Sequence, residues 1–136
     1  MRLFTALDLP EEVRTQFAEL QMPGALNARW TRPAQFHITV RFIGDADPEQ
    51  ALRYENALEQ VEVPAAECVP YGLDVLPSRR NPRVLIVGLK RSNSLLAVFE
   101  AVSNALEAEG LDTADRTYRP HVTLARLNDV SEERRV

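Results

Sequence analysis

The chain has 136 residues, of which 45% are hydrophobic and 26% charged, as is typical of one globular domain and not of a disordered chain. Its apolar runs, such as residues 84–87, are far shorter than the roughly 20 residues of a membrane-spanning helix. A single cysteine excludes an internal disulfide and favours a reducing cytoplasm, and two histidines argue against a zinc site. We therefore expect a cytoplasmic domain with no membrane anchor, no metal and no other cofactor.

The charge of the chain leaves two interpretations open. A net charge of −4 argues against broad electrostatic binding of long nucleic acids. Lys90 is the only lysine among the 16 basic residues, and the planar guanidinium of the arginines suits phosphate and carboxylate groups. The arginines indicate either a small local anion site or a general preference of the source for arginine.

The hydrophobic periodicity predicts elements in the order β-α-β-β-α-β-β-α-β. We place Pro10 at the first position of the first helix, a capping box at Asp47–Gln50 before the second, and Ser92 or Asn93 at the start of the third. The predicted strands are residues 2–7, 28–31, 36–43, 66–76, 83–89 and 118–127. This order predicts an α+β fold in which helices pack on mainly antiparallel sheets.

Both histidines of the chain lie in the same local pattern, His-x-Thr, on a predicted strand. His37 is followed by Thr39, and His121 by Thr123, with an apolar residue between and after them. Because side chains alternate along a strand, each pair lies on one face while the apolar neighbours lie on the other. If the two strands are adjacent, two imidazoles and two hydroxyls converge on one small site.

This set of groups suits displacement at phosphorus without a metal. Imidazole titrates near neutral pH, so one histidine is able to act as acid and the other as base. Hydroxyl donors beside them are suited to holding the phosphoryl oxygens in the transition state. A single His-x-Thr is more often an ordinary half-buried pair, but two copies that contain every histidine favour a functional site.

The sequence resembles the 2H phosphoesterases, specifically the RNA 2′,3′-cyclic phosphodiesterases, which are also called 2′-5′ RNA ligases. The resemblance runs in order along nearly the whole chain. The matching stretches are residues 2–10, 29–33, 37–44, 77–85 and 119–126. It implies a bilobal fold of two mainly antiparallel sheets with pseudo-twofold symmetry, helices outside, and one motif strand in each lobe. It also implies hydrolysis of a terminal 2′,3′-cyclic phosphate to a 2′-phosphate, with 2′-5′ ligation as the reverse reaction.

The resemblance also implies roles for individual residues. His37 and His121 are the catalytic pair, with His121 activating water and His37 protonating the leaving 3′ oxygen, and Thr39 and Thr123 bind the phosphate. Arg126 matches an arginine that contacts substrate in relatives, although strict alternation turns it away from His121 unless a β-bulge intervenes. Arg41 shares the face of His37 by alternation and is expected to add positive potential.

The partners implied are RNA ends or small cyclic-phosphate nucleotides. Four aromatic residues are candidates for stacking on a base, and the sequence does not choose among them: Phe4, Trp30, Tyr71 and Tyr118. An RNA-end binding module without turnover is the alternative of a different class, and it would tolerate the loss of either histidine.

We expect the chain to form one domain, residues 1–136, that lacks the C-terminal strands usual in relatives. Relatives usually continue for several dozen residues beyond the second motif, with strands that complete a sheet, whereas residues 128–136 are polar. We therefore expect an unfinished sheet with an exposed edge at residues 118–127. Such an edge favours either a dimer that pairs edges or poorly ordered last residues.

Overall fold

The secondary structure follows the predicted order. The structure is a computed structural model that describes residues 1–63, 65–115 and 117–127. These residues form the strands β1 (Arg2–Asp8), β2 (Ala28–Trp30), β3 (His37–Asp45), β4 (Pro70–Pro77), β5 (Pro82–Leu89) and β6 (His121–Leu127), and the helices α1 (Glu11–Ala18), α2 (Pro48–Glu59) and α3 (Asn93–Ala108). A short 3₁₀ turn, Pro33–Gln35, precedes β3.

The described strands form one six-stranded antiparallel sheet in the order β1-β3-β6-β5-β4, with β2 also pairing with β6. The predicted α+β class is confirmed. The division into two sheets with pseudo-twofold symmetry stays a prediction.

Two compact units share the chain. Of the described residues, the first contains those within 1–7, 39–69 and 90–120, and the second contains 8–38, 70–89 and 121–127. Strand β3 begins in the second unit and continues into the first after Ile38.

In the first unit, helices α2 and α3 contribute to a hydrophobic core with residues of β3. Its buried members are Val40, Ala46, Tyr54, Val98, Phe99, Val102 and Leu106. Half-buried residues of β1, including Leu3 and Leu7, pack against this cluster. The buried residues of α3 recur every three or four positions, so one apolar stripe forms the helical side of the core.

The predicted helix starts hold at two of the three helices. Asp47 accepts a hydrogen bond from the backbone N–H of Gln50 at 2.8 Å, and the Gln50 side chain accepts one from the backbone N–H of Asp47. Ser92 caps α3 through the backbone N–H of Leu95. Helix α1 begins one residue later than predicted, at Glu11, so Pro10 is its N-cap and provides no side-chain acceptor.

The second unit contains the β4–β5 hairpin, β6 beside β5, and β2 beside the end of β6. The inner residues of this ladder are fully buried: Ile38, Val122, Leu124 and Ala125 are each at most 1% exposed. This apolar layer fixes which face of each strand is left for polar groups.

No helix in the described part of the chain has the length and apolar character needed to cross a membrane. The exposed edge expected at residues 118–127 is wrong, because β6 pairs with β5 on one side and with β3 and β2 on the other. The predictions about residues 128–136 lie outside the described residues, and the edge-paired dimer stays a prediction.

We expect Asp47→Ala to lower the free energy of unfolding by about 1 kcal/mol, since it removes the N-cap acceptor of α2. The midpoint of thermal unfolding should fall by about 3–6 °C. Arg53→Ala, an exposed change on the same helix, is the matched control and should leave the midpoint nearly unchanged. Equal midpoints for Asp47→Ala and Arg53→Ala would show that the capping box is not needed.

Candidate active site

The two His-x-Thr strands are neighbours in the sheet. Strands β3 and β6 run antiparallel, and Ile38 and Val122 are Cα partners. Both residues are buried, at 1% and 0% exposure, so the middle position of each motif faces the apolar layer. His37, His121 and Thr123 are half-buried and lie on the opposite face. The adjacency on which the sequence interpretation depends is therefore present.

The register brings His37 close to the second motif. In an antiparallel ladder, residues that flank a partner pair are themselves opposite, so His37 lies across from Thr123. Their Cβ atoms are expected to be about 5 Å apart, and the two histidines are diagonal neighbours at roughly 7–8 Å. A phosphoryl group is small enough to lie between two imidazoles at this spacing.

The ring of His37 is oriented by the backbone before β3. Its Nδ1 lies 2.8 Å from the carbonyl oxygen of Gln35, at the end of the 3₁₀ turn. Phe36, between them, is 1% exposed and anchors this turn. Because the carbonyl oxygen only accepts, Nδ1 carries the proton of this bond.

A bulge in β6 brings Arg126 to the histidine face. Ile86 pairs with Thr123 whereas Leu85 pairs with Ala125, so Leu124 is the extra residue. The carbonyl of Leu124 accepts hydrogen bonds from the backbone N–H of Thr31 and the side-chain amide of Gln21. Alternation is reset beyond the bulge, and Arg126 shares the face of Thr123.

Arg29 is a site candidate that the sequence interpretation did not single out. It is the Cα partner of Arg126 across β2 and β6, and both side chains are exposed. Like charges that are directly opposite destabilise a sheet unless an anion lies between them. Residues 29–33 belong to the stretches that resemble the family, but only the strand register identifies Arg29 as the partner of Arg126.

Arg41 lies in the first unit, where it has internal partners. Its guanidinium donates to the carbonyl of Asp112 and lies 3.9 Å from the carboxylate of Glu107 on α3. The side chains of Arg41 and Glu107 are only 11% and 18% exposed. These contacts give Arg41 a structural role, and its predicted role toward substrate stays a prediction.

Thr39 also lies in the first unit, where Tyr118 holds its backbone. Alternation along β3 places the Thr39 side chain on the same face of that strand as His37. The Tyr118 hydroxyl donates to the Thr39 carbonyl at 2.8 Å, and the Tyr118 ring stacks on Phe99 at 4.5 Å between centroids. Burial, with a smaller contribution from Cys68, raises the pKa of Tyr118 to about 12.

Comparison with known proteins agrees with this geometry. The family described as LigT-like phosphoesterases matches residues 7–86. The RNA 2′,3′-cyclic phosphodiesterase of Bacillus subtilis is 32% identical over 130 residues, which cover 90% of this chain and 69% of that protein. The chain belongs to the LigT-like phosphoesterase family.

Solved structures show the same fold. A protein of Thermus thermophilus is 28% identical, with a TM-score of 0.79 over 95% of this chain and 75% of its own. The LigT protein of E. coli, solved with 3′-AMP, is 24% identical, with a TM-score of 0.73 over 92% of this chain and 72% of its own. The LigT-like fold therefore holds the two His-x-Thr strands described above.

In residues 1–63, 65–115 and 117–127, no group of three or more His, Cys, Asp or Glu residues is placed to hold a metal ion. The groups that this LigT-like site places together are imidazoles, a hydroxyl and guanidiniums.

We expect Tyr118→Phe to lower the free energy of unfolding by about 1 kcal/mol at pH 7, because the hydrogen bond to the Thr39 carbonyl is lost. The raised pKa of Tyr118 stabilises the fold fully below pH 10, and that stabilisation is lost as the pH rises toward 12. The difference in the free energy of unfolding between wild type and variant should therefore narrow as the pH rises from 10 toward 12. Denaturant unfolding from pH 8 to 12 measures it, and a constant difference would contradict the assigned role.

Proposed function

We propose that this protein hydrolyses the terminal 2′,3′-cyclic phosphate of RNA to a 2′-phosphate, the activity named for its Bacillus subtilis relative. The observation that carries the proposal is the pairing of β3 with β6, which places His37, His121 and Thr123 on one face. An acid and a base close to one phosphoryl group are the minimum that this reaction needs.

The reaction adds one water across one bond. His121 takes a proton from water as its oxygen forms a bond to phosphorus, and the bond from phosphorus to the 3′ oxygen breaks. His37 gives a proton to that 3′ oxygen, which leaves a 3′ hydroxyl and a 2′-phosphate. The bond from His37 Nδ1 to the Gln35 carbonyl supports this role, since it directs proton transfer through Nε2. The assignment of base and acid follows the family resemblance.

The remaining site residues bind negative charge. The Thr39 and Thr123 hydroxyls donate to phosphoryl oxygens, whose charge is largest in the transition state. Arg126 and its partner Arg29 form an anion site further along the same face of β6, at a position suited to the phosphodiester that precedes the terminal nucleotide. Arg41 adds positive potential.

The substrate class follows from this layout. RNA ends and small cyclic-phosphate nucleotides carry the group that the histidines process, and the E. coli LigT solved with 3′-AMP is a precedent for nucleotide binding on this fold. The bilobal arrangement with pseudo-twofold symmetry is part of the proposal and rests on the family resemblance.

We expect His37→Ala and His121→Ala each to lower the rate by roughly 10²–10⁴-fold, the usual contribution of a positioned acid or base. The substrate is an oligonucleotide that ends in a 2′,3′-cyclic phosphate. The rate of the intact protein should follow a bell-shaped pH profile, because the base is lost on the acid side and the acid on the alkaline side.

Arg53→Ala serves as the control for handling and expression, and circular dichroism should show that all three variants are folded. Retention of more than about a third of the activity by either histidine variant would exclude the two-histidine mechanism.

A further inference from the structure

Strand β4 carries a bulge beside the catalytic ladder. Pro70 pairs with Leu89 and Gly72 with Gly88, so Tyr71 is the extra residue. Gly72 has a φ of +144°, a conformation that residues with a side chain rarely adopt. The bulge therefore depends on glycine at position 72, and it frees Tyr71 from strict alternation.

The ring of Tyr71 covers Gly88. Its Cζ, Oη and Cε2 atoms occupy the space in which a Cβ of residue 88 would lie. Gly88 is also the Cα partner of His121 on the other side of β5. Partner residues project to the same face, so the Tyr71 ring lies on the face of His121, one strand away. The Cα atoms of Gly88 and His121 are expected to be about 5 Å apart.

Tyr71 is open to solvent at this position. Its exposed fraction is 53%, which is high for a ring in contact with a strand. The other three aromatic candidates are placed differently. Tyr118 is stacked on Phe99, Phe4 lies against Phe42, and Trp30 is the partner of Ala125, whose side chain is buried.

We propose that Tyr71 is the stacking platform for the base of the nucleotide that carries the cyclic phosphate. The inference rests on the proposed function, because the cyclic phosphate is taken to lie at His37 and His121. The base is joined to the same ribose, so it must lie within a few ångströms of the histidines. Tyr71 provides an exposed π surface there, and Gly88 provides the space that the ring occupies. Stacking of this kind accepts every base.

The test compares two substrates that differ in the base. Adenosine 2′,3′-cyclic phosphate has a base, and glycerol 1,2-cyclic phosphate has the same reacting group without one. We expect Tyr71→Ala to raise KM for the adenosine substrate about 5- to 150-fold and to leave kcat for that substrate nearly unchanged. Both kcat and KM for the glycerol substrate should stay nearly unchanged. Tyr71→Phe should behave as wild type.

The matched control is Leu73→Ala. Leu73 is also on β4 and is 54% exposed, but its side chain lies on the face of the strand opposite to the Tyr71 ring. Leu73→Ala should leave kcat and KM unchanged for both substrates. An unchanged KM for the adenosine substrate in Tyr71→Ala would overturn the proposal. An equal loss of kcat on both substrates would also overturn it, since Tyr71 would then act by supporting His121.

A second variant tests the role of Gly88. Gly88→Ala should displace the far end of the Tyr71 ring and raise KM for the adenosine substrate, whereas in the Tyr71→Ala background it should have no further effect. If the two substitutions raise KM for the adenosine substrate additively in the double variant, Gly88 does not act through its contact with Tyr71. Because only the tip of a flexible side chain must move, Gly88→Ala is expected to fold.

Equilibrium binding separates this inference from the proposed function. If the wild type hydrolyses neither of these substrates nor the oligonucleotide that ends in a 2′,3′-cyclic phosphate, the proposed function fails, and calorimetry with 3′-AMP still tests the platform. Weaker binding of 3′-AMP by Tyr71→Ala, with binding of inorganic phosphate unchanged, supports the platform. Equal affinity of wild type and variant for 3′-AMP overturns it.

Discussion

The site depends on the pairing of β3 with β6 through Ile38 and Val122. Both side chains are buried, so this contact fixes the register as well as the adjacency of the strands. A slip of one residue on either strand would turn its histidine into the apolar layer and expose an isoleucine or valine. The free energy of burying these two side chains therefore also positions the imidazoles, and the catalytic geometry needs no separate scaffold.

Two bulges adapt this regular ladder to a substrate. The first bulge, at Leu124, returns Arg126 to the histidine face. The carbonyl oxygen of Leu124 accepts hydrogen bonds from Thr31 and Gln21. The second, at Tyr71, brings a ring over Gly88 beside His121. Bulges are common next to active sites because they redirect single side chains without changing the rest of a strand. Here they place a cation and an aromatic ring on the same face as the histidines.

The order of elements, the α2 capping box and the two motifs could be predicted from the sequence, because each follows from local periodicity or a short pattern. The pairing of residues across neighbouring strands could not be predicted from the sequence. The position of Arg29 opposite Arg126 depends on the register of β2, which no local pattern encodes. The need for a bulge before Arg126 was deducible from alternation, but its location required the ladder. Tyr71 could not be chosen among four aromatic residues, because its environment is formed by Gly88, 17 positions away along the chain.

The central claim is that two histidines open a cyclic phosphate without a metal. Its most direct test is ³¹P NMR of an oligonucleotide ending in a 2′,3′-cyclic phosphate, incubated with the protein in ¹⁸O-labelled water, with and without EDTA. We predict one product, a 2′-phosphate that carries a single ¹⁸O atom and forms at the same rate in both samples. A 3′-phosphate, an unchanged substrate, or a rate abolished by EDTA and restored by Mg²⁺, Mn²⁺ or Zn²⁺ would contradict the account.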